Sequence, residues 1–319
     1  SGNMIFVSNE LSAKVLSSIF GNKYNSWIRF APKVSDWTVF DLTEIGEDIS
    51  LYGSLVTDGD QSDFISVFSR TGTASSKLSS VLPSNTLSAA TLPVVNVAEY
   101  ISAYHLFLDA RQSLQTRQTA IEALEKKTGI SPVAYFARLE PKEVATASFI
   151  EGGKLERVNL IRVAKPDTLK NCASGAYPYK YMSFASAVFG NLYELPDESS
   201  FTYLNGWLIS GSQAGVKAFS DGKAGQYTLK EFMVNAGMDD LFAAESASFM
   251  AYLSLTEDRG SLESMFSKPV TTALISEIQD SDYSGIFITA GQPKLPSAVS
   301  ASLFNKEVKK SKPVPEREI

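Results

Sequence analysis

The chain has 319 residues, of which 44% are apolar and 20% charged, and 29 Lys and Arg against 35 Asp and Glu give a net charge of -6. The composition is that of a folded protein of two or three domains, and the acidic balance without a dense basic stripe argues against nucleic acid as a partner. One Cys and one His exclude disulfide scaffolds, Cys/His zinc sites and most His-based catalytic centres, and no apolar run approaches the roughly 20 residues of a membrane span.

The first 70 residues predict a strand, a helix, a hairpin and a second helix. Residues 4–7 form the strand, and the helix that follows ends at Gly21. Residues 37–42 and 49–56 alternate between apolar and polar side chains around a turn, which is typical of a β-hairpin. Residues 63–68 form the closing short helix.

The same order returns three times farther along the chain. The second unit has helices that begin at residue 97 and a hairpin that turns at Gly152-Gly153, and the third has a hairpin that turns at Asn205-Gly206. Asn-Gly between two apolar runs is the strongest short hairpin signal, since both central residues of a type I′ turn need positive φ. The fourth unit pairs residues 285–289 with 298–304.

These elements predict an α+β fold, with antiparallel sheets and helices on one face, built from repeated strand–helix–hairpin–helix units. Residues 1–175 form the N-terminal half with units 1–70 and 86–175, and residues 176–304 form the C-terminal half with two more units. The Ser/Thr-rich stretch 71–85 is the predicted joint between the first two units. The alternative is that a loose template has been matched to a β-rich chain.

The ends of the chain suggest that it belongs to a larger product. Residues 1–7 have no basic region followed by an apolar one, so no signal peptide is present, and Met4 leads straight into a strand as if a leader or anchor had preceded it. Residues 305–319 are basic and contain prolines, which predicts a flexible tail or a linker to a further domain. A Ser-rich, charge-poor composition is common in exported bacterial domains.

Three segments carry a resemblance to a known family. They are Ser35-Asp36-Trp37-Thr38-Val39-Phe40-Asp41, the stretch 79–86 ahead of a strand, and residues 184–190 ahead of the 201–210 hairpin. With them the chain resembles a family of uncharacterised exported or membrane-anchored bacterial proteins, a domain of unknown function that sometimes precedes a β-propeller. The resemblance implies an exported protein of the periplasm or cell surface, tethered as a lipoprotein or by a membrane anchor, and it supplies no catalytic residues.

Single residues that resemble catalytic groups have simpler interpretations. His105 lies within an apolar helical pattern, where Asp109 at i+4 is an ordinary helix-face neighbour. Ser212 lacks the Gly-x-Ser-x-Gly spacing of a nucleophile elbow and is the predicted N-cap of a helix. Ser220 and Lys223 match Ser-x-x-Lys, but a turn after a helix explains them.

Acidic and Gly-rich segments also predict no metal or cofactor site. The run from Asp58 to Asp63 fails the calcium-loop pattern, because the sixth position is not Gly and the twelfth is not Glu. We expect Glu143, Glu151 and Glu156 near the second hairpin to be solvated. No Gly-rich segment has the spacing of a phosphate-binding loop.

The candidate binding surface is the aromatic cluster Tyr177, Tyr179 and Tyr181. Such a row of Tyr can stack on sugar rings or anchor a protein interface, or it can be a strand with alternate residues turned inward. The sequence therefore predicts a non-catalytic binding or assembly module of the cell envelope, with an envelope protein or a glycan as partner. The alternatives are a glycan-active hydrolase that uses an Asp/Glu pair and a passive spacer domain.

Overall fold

A computed structural model describes residues 4–45, 48–59, 61–164, 184–222, 224–236, 239–255, 259–267 and 271–305. Within these residues, eleven strands form one antiparallel sheet in the order β1-β2-β3-β11-β10-β9-β4-β5-β6-β8-β7. The strands are β1 (Met4–Ser8), β2 (Trp37–Ile45), β3 (Asp48–Val56), β4 (Thr86–Pro93), β5 (Pro141–Glu151), β6 (Lys154–Val163), β7 (Ser200–Leu204), β8 (Trp207–Gly211), β9 (Phe249–Ser254), β10 (Tyr283–Gln292) and β11 (Leu295–Asn305).

The helices lie in the segments that connect these strands. They are α1 (Asn9–Ile19), α2 (Asn25–Phe30), α3 (Ile65–Thr71), α4 (Val97–Ala110), α5 (Leu114–Thr128), α6 (Pro132–Leu139), α7 (Phe184–Phe189), α8 (Gln213–Ser220), α9 (Leu229–Asn235), α10 (Leu241–Ala244), α11 (Arg259–Glu263) and α12 (Thr271–Asp280). Several of them begin with a side-chain cap. The side-chain amide oxygen of Asn96 accepts hydrogen bonds from backbone amides in the first turn of α4, and Thr228 with Glu231 forms a capping box at α9.

Both faces of the sheet are covered by helices, because the strands are apolar on both sides. On β5, Val144 packs with α4, α6 and α7 on one face, called here the α4 face, while Ala145 and Phe149 pack with α8, α9 and α10 on the other, called the α8 face. A third cluster adds α1, α2, α11 and α12 to the α4 face. A strand between two helical layers needs apolar residues at successive positions, and β4 is buried along its whole length.

The predicted α+β fold of repeated units with helices on one face is therefore wrong. The strands join one continuous sheet, and helices pack on both of its faces. Strands β9 to β11, from the end of the chain, lie between β3 and β4, so the order in the sheet is not the order of the predicted units. Local patterns show which segments are strands, but long-range pairing decides which strands are neighbours.

The individual hairpins are confirmed. Strand β5 pairs with β6 across Gly152 and Gly153, which have φ of 58° and 73°, and β7 pairs with β8 across Asn205 and Gly206, at 49° and 86°. Positive φ at both central residues matches the right-handed twist of the flanking strands. β2 with β3 and β10 with β11 are also paired as predicted.

The predicted division near residue 175 falls outside the described residues, as does most of the predicted tail, and both stay predictions. The Ser/Thr-rich stretch 71–85 is described and is not an exposed linker. Leu78, Leu82 and Ser79 are fully buried, and Ser79 donates a 2.7 Å hydrogen bond to Asp240. The stretch belongs to the core on the α8 face.

Candidate functional site: a cleft on the sheet and a cationic pocket

The middle of the sheet has apolar side chains that the helices on the α4 face leave partly uncovered. Leu253 on β9 is paired with Ile286 on β10, and Ala251 with Ile288, so the four lie side by side. All four retain solvent access, and Ile288 is 36% exposed. The alternate residues of the same strands, on the α8 face, are buried: Met250, Tyr252 and Phe287. A sheet face open to water is normally polar, so an open apolar one marks a candidate binding surface.

Side chains from helices α1 and α2 and the segment between them lie opposite these strands, so the surface is one wall of a cleft. The opposite wall includes Leu16, Phe20 and Trp27. The cavity volume is about 410 Å³. This volume lies within the range of roughly 300–1,000 Å³ that is typical of small-molecule sites. We call this cavity the sheet cleft.

The sheet cleft offers a ligand almost no polar contact. Among the residues that the structure describes, no Asp, Glu, Lys or Arg lines it. The Asn9 amide is already used, since it donates to the Ser35 carbonyl at 2.8 Å and accepts from the Thr38 hydroxyl at 3.0 Å, and the Tyr24 hydroxyl is bonded to Ser148. Trp27 Nε1 is buried without a hydrogen-bond partner in the described structure. The cleft thus presents an apolar surface.

A second cavity of about 380 Å³ lies where α4 ends and α5 begins. Lys33, Arg111 and Arg117 line it together with aromatic side chains, and no described carboxylate does. Phe30 and Leu192 line both this cavity and the sheet cleft. We call it the cationic pocket.

Glu143 is buried, and the expectation that it is solvated is wrong. Its carboxylate accepts hydrogen bonds from the hydroxyls of Ser76 and Thr91, from the Lys77 amide at 3.2 Å and from Arg162 Nε at 3.1 Å. Four donors compensate the loss of hydration of this charge. Local sequence patterns do not predict such donors, because Ser76, for example, is 67 residues away from Glu143 in the chain.

A second partly buried carboxyl, Glu198, lies near the end of β8. Its Oε1 accepts hydrogen bonds from the Ser210 hydroxyl at 2.8 Å and from Asn159 Nδ2 at 3.4 Å. Burial raises the pKa of Glu198 to about 7, although both hydrogen bonds lower it. Neither Glu198 nor any other described Asp or Glu lines the sheet cleft or the cationic pocket, so the carboxylate pair that a glycan hydrolase needs is not found among the described residues of either cavity.

The remaining predicted residues that the structure describes line neither cavity. Tyr177, Tyr179 and Tyr181, the candidate binding surface, lie outside the described residues, as do Lys223 and Asp60. His105 is half-buried on α4, where burial lowers its pKa, and no ion pair with Asp109 is present in the described structure.

Ser212 is confirmed as the N-cap of α8, because its hydroxyl accepts a 3.0 Å hydrogen bond from the Gly215 amide. The same hydroxyl donates to Glu156. No group of three or more His, Cys, Asp or Glu that could hold a metal ion occurs among the residues described.

Comparison with known protein families, with curated proteins and with solved structures found no match to this chain. None of the described helices has the length and apolar character that crossing a membrane requires.

Proposed function

We propose that the protein is a non-catalytic binding module of the bacterial cell envelope, exported to the periplasm or cell surface, and that its sheet cleft holds an apolar ligand. The observation that supports this is the partly uncovered pairing of Leu253 with Ile286 and Ala251 with Ile288 in the middle of the sheet. Export is supported by the composition and by the family resemblance.

The ligand that fits is an acyl chain or another elongated apolar molecule. Burying each Å² of its apolar surface against the cleft gives roughly 25 cal/mol. A charged ligand group has no oppositely charged partner among the described residues that line the sheet cleft, because these are all neutral.

The experiment uses dodecan-1-ol as a neutral probe and follows the tryptophan fluorescence of the chain, which comes from Trp27 in the cleft and from Trp37 and Trp207 outside it. We expect saturable binding to the full chain. Ala251→Phe puts a ring into the cleft and should weaken binding at least about tenfold, as should Ile288→Asp, which places a charge at its exposed edge.

Ala244→Phe is the matched control, because Ala244 is exposed on α10 and does not line the cleft. It should bind the alcohol like the unaltered chain. Absence of saturable binding, or equal binding by both cleft variants and the control, would contradict the proposal and favour a passive spacer.

A further inference from the structure

The cationic pocket gathers positive charges, and no acidic side chain is among the described residues that line it. The guanidinium of Arg111 donates to the Ser62 carbonyl at 2.8 Å, and that of Arg117 donates to the Ser186 carbonyl at 2.8 Å and to Asn191 Oδ1 at 2.7 Å. Both arginines are thus held in place by neutral oxygens. The Lys33 ammonium makes no hydrogen bond or ion pair within the described structure.

These charges repel one another. Burial lowers the pKa of Lys33, and the positive charges of Arg111, Arg117 and Arg29 lower it further. A protein gains nothing in stability from keeping like charges around one cavity. An anion bound between these cations is attracted by each of them. Its charge-assisted hydrogen bonds are stronger than hydrogen bonds between neutral groups.

The beginning of α5 adds further donors at the same place. Ser113, its N-cap residue, donates its hydroxyl to the Leu108 carbonyl at 3.2 Å and makes no capping hydrogen bond to the first turn. The first-turn amides of this 15-residue helix are therefore without a side-chain cap, and Ser113 and Thr116 line the pocket. The amino end of a helix holds a partial positive charge that favours anions.

We propose that the cationic pocket binds an oxyanion, a carboxylate or phosphate group, between Lys33, Arg111 and the first turn of α5. Arg117 contributes charge from its fixed position against Ser186 and Asn191.

The oxyanion is either free or the head group of the ligand whose chain fills the sheet cleft. The two cavities share Phe30 and Leu192 in their walls. The ring centroid of Phe30 lies 5.0 Å from that of Phe64 in the pocket and 5.9 Å from that of Phe249 in the cleft. The head-group alternative rests on the proposed function of the sheet cleft, whereas a free oxyanion does not.

The primary experiment titrates the full chain with inorganic phosphate at low ionic strength by calorimetry. We expect saturable binding that weakens as salt is added, because salt screens the charges of a partly open pocket. Lys33→Gln and Arg111→Gln should each weaken it about tenfold, as the loss of one charge-assisted contact predicts. Lys217→Gln removes one exposed positive charge from α8 and should leave binding unchanged.

Two further probes identify the source of the oxyanion. Dodecyl phosphate should bind at least about tenfold more tightly than inorganic phosphate or dodecan-1-ol if the anion is a head group, and no more tightly than inorganic phosphate if the anion is free. No binding of inorganic phosphate, or binding that neither pocket variant weakens, would overturn the proposal. Binding of dodecan-1-ol is measured separately, so failure of the pocket leaves the proposed function of the cleft intact, and the reverse also holds.

Discussion

Glu198 is a side chain whose surroundings disfavour its charge. Burial raises its pKa to about 7 from the ordinary value of 4.5. Between these pH values the folded chain retains a proton that the unfolded chain releases, so the free energy of unfolding falls as pH rises from about 4.5 to 7. Glu198→Gln retains the acceptor for Ser210 and Asn159 but cannot ionise.

We therefore expect Glu198→Gln to be more stable than the unaltered chain by about 3 kcal/mol at pH 8 and nearly equal to it at pH 4. Urea unfolding at several pH values measures both. Asp197→Asn, on the exposed residue next to Glu198, removes the same charge and should follow the unaltered chain. If the free energy of unfolding changes with pH in the same way for Glu198→Gln and the unaltered chain, Glu198 is not the group that causes the pH dependence.

At the scale of single elements, the pairing of β2 with β3 depends on a glycine. Gly53 is opposite Phe40 on β2 and Val299 on β11. A Cβ at Gly53 would lie 1.9 Å from the Val39 carbonyl oxygen, which is backbone and cannot rotate away. Any side chain here separates two strands of the sheet.

Gly53→Ala should thus lower the free energy of unfolding by about 2–3 kcal/mol, the upper part of the range found for overpacked cores. Urea or thermal unfolding measures this change. Gly225→Ala is the matched control, since its Cβ would meet only the Gly222 carbonyl at 3.8 Å, and its effect should stay within about 0.5 kcal/mol. Equal stability of the two variants would mean that β2 and β3 adjust at little cost.

At the scale of the whole molecule, the sheet makes the two ends of the chain interdependent. Strands β3 and β4 belong to the first half of the chain, and β11, β10 and β9 separate them in the sheet. Without these three strands, β3 and β4 become long unpaired edges, which promote aggregation.

We expect a fragment of residues 1–175 to show no cooperative unfolding transition by itself, and co-expression with residues 176–319 to restore a soluble complex. Circular dichroism during heating and size-exclusion chromatography measure the two results. A fragment 1–175 that unfolds cooperatively alone would instead support the predicted N-terminal half as an independent domain.

How much of the site the sequence reveals depends on how local each signal is. The Ser212 cap and the Asn205-Gly206 turn are each formed by residues within four positions of one another in the chain. Both predictions are confirmed. The cationic pocket brings Lys33 together with Arg111 and Arg117, which are about 80 residues away in the chain. No sequence spacing therefore predicts this pocket. Strand β9 is apolar on both sides, a pattern that does not distinguish a covered face from the open cleft.

The amino-acid sequence by itself determined the strands, the hairpins and several helix boundaries, because these follow from alternation, turn residues and caps within short segments. The tertiary structure alone decided that the strands form one sheet, that helices cover both faces, and that Leu253, Ala251, Ile286 and Ile288 remain partly open in its middle. The physical reason is that burial depends on which distant segments pack over a strand, and a strand's own alternation does not contain that information.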